Sequence, residues 1–509
     1  MALAAMTLAN AMVLVDQTAV PLALPSVMQD LGVGTQKAQW VVNASLLPLA
    51  AFLVLGGRLG DLFGHRRIFL VGITTFTVAS ACGGFAPSYE VLIAFRVLQG
   101  LGGALMLPTT VAIVSARYPG EQRGRALGVM GGAAAVAGAL GPVIGGVLTS
   151  LFDWRAVLLI NIPLALVAVL ATLRSVPRDA PSTESHHVDW LGATLLAFTL
   201  IGVIGGVTQS ETVTWSSPSV SFPLIVAVAA GTALVFVERR AQRPLMDLSL
   251  LRRHRNYLGA TLSQGLAGMA EMGLGILFPL LLVLNLGMNP GLAGLALLPA
   301  SLPMIFVAPA AGRWYDRVGG RIPLVTGFGA LAAAGLVLAV AVHGNAYWLL
   351  LPGFFIYGVG LALVLTVNDP VSLDQVDPSN HGQASGVSAT AEQFGGALGI
   401  ALLYLVFHTV AVQRLYSNVD TSSLPDLTSS QYLQLRDDIV SAEQTGLQPR
   451  SFDPQFVDYI DDIIDASNWG MTAAFLAVTV LSVGAMALML YFVRRPDRAT
   501  EAVDDQPRP

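Results

Sequence analysis

Fourteen long apolar segments, separated by short polar turns, account for most of this 509-residue chain. Each has about the 20 mostly apolar residues that a helix needs to cross the hydrocarbon core of a bilayer. Because backbone polar groups in that core must be bonded within their own segment, such spans form helices. The sequence therefore predicts an all-α polytopic membrane protein, with spans at 3–25, 39–59, 68–86, 90–113, 126–150, 155–173, 190–208, 220–237, 256–284, 291–311, 324–342, 347–367, 386–409 and 470–493.

The composition agrees with a chain surrounded by lipid. Hydrophobic residues make up 54% of it and charged residues 12%, whereas charged residues make up about 25% of an ordinary soluble domain. The lipid bilayer is therefore an expected partner. The small net charge of −5 gives no support to nucleic-acid binding. A single cysteine, Cys82, excludes an intramolecular disulfide and a CxxC metal site.

The basic residues are distributed unevenly between the loops. If the first residues lie in the cytoplasm, 21 of the 27 Lys and Arg residues fall in inner loops and the tail, and five fall in outer loops. Cytoplasmic loops carry such an excess of Lys and Arg, so we expect both termini in the cytoplasm. The first span lacks a basic leader and a cleavage site, and we expect it to be a membrane helix. With an Ala-, Gly- and Arg-rich composition typical of GC-rich bacteria, the expected location is a bacterial inner membrane.

A short charged turn occurs twice, about 255 residues apart. Residues 57–67 read Gly-Arg-Leu-Gly-Asp-Leu-Phe-Gly-His-Arg-Arg, and residues 312–321 read Gly-Arg-Trp-Tyr-Asp-Arg-Val-Gly-Gly-Arg. The repeat predicts a duplicated half, and two halves that move against each other are typical of a transporter. The residues of interest are Gly57, Asp61, Gly64, Arg66 and Arg67 in the first copy and Asp316 and Arg317 in the second.

We expect this turn to be a gating motif on the cytoplasmic side. Asp61 is predicted to bond the start of a neighbouring helix or a nearby arginine when that side is closed. Asp316 is predicted to be a weaker partner in the second copy. The alternative is that the arginines only set the orientation in the membrane, which leaves Asp61 and the glycine spacing unexplained.

The repeat also sets the expected organisation. Residues 1–175 form one six-helix half, and residues 256–493 form the other, with a polar and acidic outer loop at 410–469. Residues 176–255 hold two extra helices, and residues 494–509 are a cytoplasmic tail. The predicted architecture is two six-helix bundles plus two extra central helices.

Few ionisable residues lie inside the spans, and such residues are functional candidates because burying them in lipid is unfavourable. They are Asp16, Arg96, Glu271 and Glu392, with Asp369 at the inner end of span 12. A carboxyl group at low dielectric favours its neutral form, which makes it a usable proton carrier. For Asp16 the alternative is a static bridge to Arg96. For Glu271 and Glu392 a purely structural role is equally open.

Span 5 contains closely spaced small residues, Gly138, Gly141, Pro142, Gly145 and Gly146. Small residues every three or four positions let two helices touch along their backbones. A proline in mid-span removes a hydrogen bond and bends the helix. General glycine-mediated packing is the alternative to a specific role in transport. Span 13 has a similar pattern, at Gly395, Gly396 and Gly399.

Five of these motifs together resemble the fourteen-span drug:proton antiporter branch of the major facilitator superfamily. The resemblance covers nearly the whole chain. The motifs are the turn Gly57–Arg67, the span 4 stretch Leu92–Gly100 around Arg96, the span 5 stretch Gly138–Gly146, the span 1 stretch Asp16–Pro25, and Trp154-Arg155 with Asn161-Ile162-Pro163. The sequence departs from the branch at Pro21, where Asn is usual, and at Ala137, where Gly is usual.

The resemblance implies alternating access, in which two six-helix bundles expose a midplane cavity to one side and then the other. It implies a proton-coupled antiporter that exports lipophilic, cationic small molecules, with Asp16 and Arg96 in proton coupling and Glu271 and Glu392 as further carboxylates. Protons and a small molecule are then the partners. The expected transporter is a functional monomer, driven by the proton gradient without cofactor or metal.

There are two alternatives to drug export. Export of an endogenous metabolite, lipid or peptide needs the same cavity and stays open. A membrane enzyme or sensor is disfavoured, because His186 and His187 lack ligand spacing and the chain has no phosphate-binding GxxxxGK[ST] loop.

Overall fold

The computed structural model describes residues 1–118, 121–179, 189–210, 215–240, 253–373, 376, 381–421 and 460–493. The predicted tail, 494–509, lies outside them. Within the described residues, 13 helices are long and apolar enough to cross a membrane, and a bent helix pair between residues 129 and 151 brings the number to 14. The predicted all-α polytopic fold is confirmed.

We number the helices by span. They are α1 (Ala2–Leu31), α2 (Thr35–Phe63), α3 (His65–Gly84), α4 (Tyr89–Arg117), α5 (Glu121–Leu151), α6 (Arg155–Ser175, interrupted at Ile160), α7 (Trp190–Gln209), α8 (Pro218–Glu238), α9 (Arg255–Leu280, continued by a π-helical turn Leu281–Asn285), α10 (Pro290–Val318, interrupted at Leu297), α11 (Arg321–Ala341), α12 (Tyr347–Leu373), α13 (His381–Thr421) and α14 (Ile460–Phe492).

Helices α1–α6 and α9–α14 pack in the same pattern. In the first set α1 packs on α5, α2 and α3 pack on α4, and α6 packs on α1 and α3. In the second set α9 packs on α13, α10 and α11 pack on α12, and α14 packs on α9 and α11. The internal repeat in the sequence thus corresponds to two six-helix bundles with equivalent contacts.

The two bundles meet along two seams. Helix α2 packs against α13, and α5 packs against α10. The extra helices α7 and α8 pack on each other, and α7 also contacts both α2 and α13. We call the end of the molecule that carries the α2–α3 turn the basic end, and the opposite end the far end.

Helix α5 bends where the sequence predicts it. The segments 129–138 and 140–151 meet at an angle of 42°, and Pro142 follows directly. Proline has no N–H to donate to the carbonyl of residue 138, so the helix loses one hydrogen bond at this point.

The last two helices are longer than predicted. Helix α13 continues to Thr421 and α14 begins at Ile460, so the predicted outer loop 410–469 is wrong at both ends. The added turns are polar. Hydropathy marks only the part of a helix that contacts hydrocarbon, and it cannot detect a helix that continues beyond the bilayer.

Candidate functional site

Asp16 and Arg96 form an ion pair between α1 and α4. Arg96 Nη1 lies 2.7 Å from Asp16 Oδ2. Asp16 is 3% exposed and Arg96 1% exposed. A buried carboxylate and guanidinium balance each other only when their remaining hydrogen-bonding atoms are also satisfied, and here they are.

Neighbouring polar groups complete the pair. Gln99 Nε2 donates to Asp16 Oδ1 over 2.8 Å, and Arg96 Nη1 also donates to Gln99 Oε1 over 2.8 Å. Arg96 Nε donates to the Val41 carbonyl, and Nη2 donates to Ser45 Oγ, each over 2.7 Å. Asp16 is therefore held by α4 through both carboxylate oxygens, while Arg96 also holds α2.

This network extends to α3 and α6 through residues that sequence analysis did not single out. Gln99 Nε2 reaches Ser80 Oγ at 3.3 Å, Asn161 Nδ2 donates to Ser80 Oγ over 3.0 Å, and Ser80 Oγ lies 2.8 Å from the Leu158 carbonyl. Asn161 belongs to a motif of the resemblance, but its partner is visible only in three dimensions. The network therefore joins α1, α2, α3, α4 and α6.

The glycines of α5 bring its backbone against α1, beside Asp16. A Cβ atom at Gly141 would overlap the Thr18 hydroxyl, and one at Gly145 would lie 2.8 Å from Ala19 Cα. Gly138 is different, since the nearest atom to its Cβ position is Leu14 Cβ at 3.7 Å, an ordinary contact. The close approach of α1 and α5 therefore requires glycine at positions 141 and 145. It does not require glycine at position 138.

The next glycine on α5 faces the other bundle. A Cβ atom at Gly146 would overlap the Pro290 carbonyl oxygen at the start of α10, and one at Gly294 would lie 2.5 Å from the Pro142 carbonyl oxygen. The Gly291 backbone N donates to Ser150 Oγ over 2.6 Å. The far end of the α5–α10 seam is therefore closed by backbone contact.

Glu271 and Glu392 lie together in the second bundle, at the α9–α13 contact. Gln264 Nε2 on α9 donates to Glu392 Oε2 on α13. Oε2 of Glu271 is buried, with no hydrogen-bond partner among the described residues. The two carboxylates interact electrostatically with each other, and Glu271 also does so with Tyr357 on α12. The described structure does not include the Asp369 side chain.

The α2–α3 turn has a partner that the sequence did not indicate. The Asp179 carboxylate, in the segment after α6, accepts the backbone N–H groups of Arg66 and Arg67, each over 3.0 Å. Gly64 has φ 98°, and a Cβ atom there would overlap that carboxylate. The first turn of α3 is thus capped by an acidic side chain, which its unpaired N–H groups favour.

Asp61 is exposed beside this turn. It lies 3.4 Å from His65 Nε2 and 4.0 Å from Arg58 Nη1. The second copy is similarly placed, since Asp316 and Arg317 are exposed in the last turn of α10. Gly57 is set against Pro108 on α4, where its Cβ position is 3.4 Å from the proline ring.

A buried pair of side chains joins the two bundles through a hydrogen bond that sequence analysis missed. Gln17 Nε2 on α1 donates to Gln393 Oε1 on α13 over 3.0 Å. Both glutamines are buried. Asp16, which bonds α4, and Gln17, which bonds α13 of the other bundle, are therefore adjacent residues of α1. Along the described chain no group of three or more His, Cys, Asp or Glu side chains is placed to hold a metal ion.

Known proteins resemble this chain over most of its length. The family described as Major Facilitator Superfamily matches residues 6–400. The puromycin resistance protein pur8 of Streptomyces alboniger is 36% identical over 405 residues, which cover 78% of this chain and 80% of that protein. The tetracenomycin C resistance and export protein of Streptomyces glaucescens is 30% identical over 505 residues, covering 98% and 92%. The multidrug efflux pump LfrA of Mycolicibacterium smegmatis is 28% identical, covering 95% of each chain.

Solved structures agree on the fold. The inward-facing, unoccupied structure of a bacterial homologue of the human lysosomal transporter Spinster has a TM-score of 0.63 and 16% sequence identity, and the match covers 96% of each chain. A peptide transporter in complex with sulfate also has a TM-score of 0.63, at 13% identity, with 96% of this chain and 94% of that one covered. The chain is therefore a multi-pass membrane transporter, not an enzyme, and it belongs to the Major Facilitator Superfamily.

Proposed function

We propose that this protein exports lipophilic small molecules in exchange for protons, by alternating access. The observation that carries the proposal is the buried Asp16–Arg96 pair, which lies between α1 and α4 next to the seam between the bundles. The relatives support it, because their names describe resistance to antibiotics and export of drugs.

Proton binding at Asp16 changes the charge that holds α1 to α4. The ionised carboxylate accepts from Arg96 and Gln99. Once it is protonated, Arg96 is left buried without its counter-charge, and an uncompensated buried charge is strongly unfavourable. The local structure then rearranges until Arg96 is resolvated or Asp16 releases the proton. Ionised and protonated Asp16 thus correspond to two different states of the bundle, and an exchanger needs two such states.

The packing of α5 connects this step to the far end of the molecule. Thr18 and Ala19, just after Asp16, contact Gly141 and Gly145 across a backbone interface. One residue later Gly146 meets α10 of the other bundle. Because close-packed helices move as rigid elements, a shift of α1 is passed to the α5–α10 contact that closes the far end.

The test replaces Asp16 with a side chain that cannot ionise. In proteoliposomes with an imposed pH gradient, we expect Asp16→Asn to lower gradient-driven transport of a fluorescent lipophilic dye by at least about tenfold, because the charge change is lost. Asp30→Asn is the matched control on the same helix. Asp30 bonds Arg155 at the far end, and its replacement is expected to leave the rate within about twofold. Full gradient-dependent transport by Asp16→Asn contradicts the proposed role.

Export of an endogenous natural product is the second candidate. It is favoured by the relatives that are named for exported compounds, such as the tetracenomycin C export protein and the cephamycin export protein CmcT of Amycolatopsis lactamdurans, 35% identical over 78% of this chain. The two candidate functions can be separated by deleting the gene in its own host. Intracellular and secreted metabolites of the deletion strain are then compared with those of the wild type. Accumulation of one internal product supports the second candidate, and sensitivity to many added drugs supports the first.

The remaining expectations are part of the same proposal. The basic end faces the cytoplasm of a bacterial inner membrane, where the loop arginines satisfy the positive-inside rule. The protein works as a monomer, and the proton gradient alone drives it, without a bound cofactor. The α2–α3 turn with Asp61, and its second copy with Asp316, gate the basic end. Labelling of single cysteines in intact cells with an impermeant thiol reagent tests the orientation.

A further inference from the structure

Three uncharged amide side chains meet the seam between the bundles near mid-membrane. Gln17 on α1 and Gln393 on α13 bond each other across the seam. Asn43 on α2 is wholly buried, and neither its Nδ2 nor its Oδ1 has a hydrogen-bond partner among the described residues. Oε1 of Gln17 is also unpartnered there. Buried polar atoms are nearly always paired, so three unpaired ones so close to one seam need an explanation.

The helical positions show that Asn43 faces the second bundle. On α2, Ala50 accepts a hydrogen bond from Thr390 on α13, and Val54 contacts Gly386. Asn43 precedes Ala50 by seven residues, two turns on the same face. Gln39, one turn further, lines a small cavity with residues of α1, α9 and α13. Asn43 therefore lies between two positions that already meet the other bundle.

Asn43 and the two glutamines lie at nearly the same depth along the seam. Helices α2 and α13 run antiparallel, and Ala50 is opposite Thr390. Residue 47 is then opposite Gln393, so Asn43 is about one helical turn from the Gln17–Gln393 pair, toward the far end. Gln17 is also on the face of α1 that lines the cavity, since Leu24 and Met28 follow it at intervals of seven and eleven residues.

The charged groups are directed away from this seam. Both oxygens of Asp16 accept hydrogen bonds from α4. Glu392 accepts from Gln264 on α9, within the second bundle. Glu271 is on the side of α9 opposite Ile276 and Leu280, the two α9 residues that line the cavity. A ligand in the seam thus meets amide groups and apolar side chains.

From this placement we propose that Gln17, Asn43 and Gln393 form an uncharged recognition site, which binds carbonyl, hydroxyl or amide groups of uncharged lipophilic molecules. The inference deepens the proposed export function and rests on it. The ligand supplies the partners that Asn43 and Gln17 lack, and it replaces the Gln17–Gln393 hydrogen bond with bonds of its own, an exchange that changes the free energy little. A permanent cation without hydrogen-bonding groups cannot supply the partners that these amides lack.

The test is equilibrium binding to the purified full-length protein in detergent, without a pH gradient. The ligands are tetracenomycin C, an uncharged compound with hydroxyl and carbonyl groups, and tetraphenylphosphonium, a cation without hydrogen-bonding groups. The variants are Asn43→Leu and Gln17→Met, which keep the side-chain size and remove the amide. We expect tetracenomycin C to bind each variant about tenfold more weakly, and tetraphenylphosphonium to bind within about twofold of wild type.

Asn368→Leu is the matched control. Asn368 on α12 is also buried with both amide atoms unpartnered among the described residues, but α12 packs mainly on α9, α10 and α11 of its own bundle. This variant is expected to bind both ligands as wild type does. Replacing an unpaired buried amide with leucine does not lower thermal stability, so Asn43→Leu is expected to fold.

Three outcomes overturn the inference: equal weakening of both ligands, unchanged tetracenomycin C binding in both variants, or no binding of tetracenomycin C to the wild type at concentrations up to its solubility. The results for Asp16→Asn and Asn43→Leu distinguish a failure of the proposed proton exchange from a failure of the amide site. If Asp16→Asn keeps gradient-driven transport while Asn43→Leu loses binding, only the exchange is wrong. If Asp16→Asn loses transport while Asn43→Leu binds normally, only the amide site is wrong.

Discussion

Arg96 holds more of the first bundle together than any other single side chain described above. Its guanidinium donates to a carboxylate, an amide oxygen, a hydroxyl and a backbone carbonyl on three helices. A planar group with five donors in a fixed fork suits four acceptors that lie in different directions, whereas a lysine ammonium is a compact charge with three donors. The position thus requires the geometry of arginine as well as its charge.

We expect Arg96→Lys to fail despite the retained charge. The bonds to Ser45 and Val41 cannot both be kept, so gradient-driven export should fall by at least about tenfold. The measurement is initial dye transport in proteoliposomes at several external pH values. Ser45→Ala removes one acceptor only and is the control, with an expected loss of about 1 kcal/mol in stability and most of the transport kept. Wild-type transport by Arg96→Lys would show that charge alone suffices.

Gly64 and Asp179 form a second residue-scale unit. A Cβ atom at residue 64 overlaps the Asp179 carboxylate, and φ 98° is unfavourable for any residue but glycine. We expect Gly64→Ala to destabilise the protein by several kcal/mol and Asp179→Ala by about 1 kcal/mol, the usual effect of removing a helix cap. In the double variant the overlap disappears and the φ strain remains.

The measurement is thermal unfolding of the wild type, both single variants and the double variant. The double variant should be more stable than the sum of the single effects predicts, because the two residues touch. Additive effects would mean that the Asp179 carboxylate does not occupy the position beside Gly64.

The sequence indicated some of these residues and not others, for a physical reason. Asp16 and Arg96 were identifiable because a charge inside an apolar span is rare and unfavourable. Gln99, Ser45 and Ser80 were not, because uncharged polar residues are common in spans and their value depends on which helix they face. Asp179 lies in an ordinary polar linker, where one aspartate resembles any other. Whether the identified residues carry protons stays a prediction.

At the scale of helices, the proposed coupling depends on the α1–α5 pair. Gly141 and Gly145 allow the two backbones to touch just beyond Asp16. The second bundle repeats the arrangement, because Cβ atoms at Gly395 and Gly399 on α13 would overlap the carbonyl oxygens of Gly265 and Met269 on α9. Backbone contact needs no large side chains and transmits small displacements.

Two alanine substitutions on the same helix distinguish contact from general packing. Gly145→Ala forces α5 away from the Ala19 backbone, and we expect a loss of about 1–3 kcal/mol in stability together with weaker transport. Gly138→Ala meets only Leu14 Cβ at 3.7 Å, so stability and transport should stay near the wild-type values. Thermal unfolding measures the stability of each variant, and dye transport in proteoliposomes measures its activity. Equal effects of the two substitutions would argue against a specific α1–α5 interface.

The number and order of helices could be predicted from hydropathy alone, whereas their ends could not. The polar ends of α13 and α14 extend beyond the predicted spans, since helix formation there does not depend on lipid. The bend of α5 was predictable from Pro142, which removes a helical hydrogen bond. Proline does not always interrupt a helix here, since α1 continues through Pro21 and Pro25. The breaks in α6 and α10 carry a similar signal, because Pro163 follows Ile160 by three residues and Pro299 follows Leu297 by two, and proline is favoured in the first turn of a helix.

At the scale of the whole molecule, closure of the far end depends on the α5–α10 seam. The Gly291 backbone N lies 2.6 Å from Ser150 Oγ, so the two Cα atoms are within the range that a disulfide spans. We expect Ser150→Cys with Gly291→Cys, in a Cys82→Ala background, to form a disulfide under mild oxidation and to stop export, because the far end can no longer open.

Reduction should restore export in that double variant, and each single cysteine variant should be insensitive to the oxidant. A cross-linked protein that exports at the full rate would show that the far end need not open at this seam. Mass spectrometry of the peptides confirms the cross-link independently of transport.

Contacts between the bundles were beyond the reach of the sequence. The repeat predicts two similar units, but the pairing of α2 with α13 and of α5 with α10 depends on how the units face each other. Gln17 and Gln393 are 376 residues apart, and although Gln17 belongs to the span 1 motif, nothing in the sequence pairs it with Gln393.

The central helices make the two seams unequal. Helix α7 packs on both α2 and α13, whereas among the described residues neither α7 nor α8 packs on α5 or α10. If the protein exports lipophilic molecules as proposed, we expect them to enter the space between the bundles from the lipid past α5 and α10. We therefore expect the extra helices to restrict lateral entry from lipid to one side of the molecule.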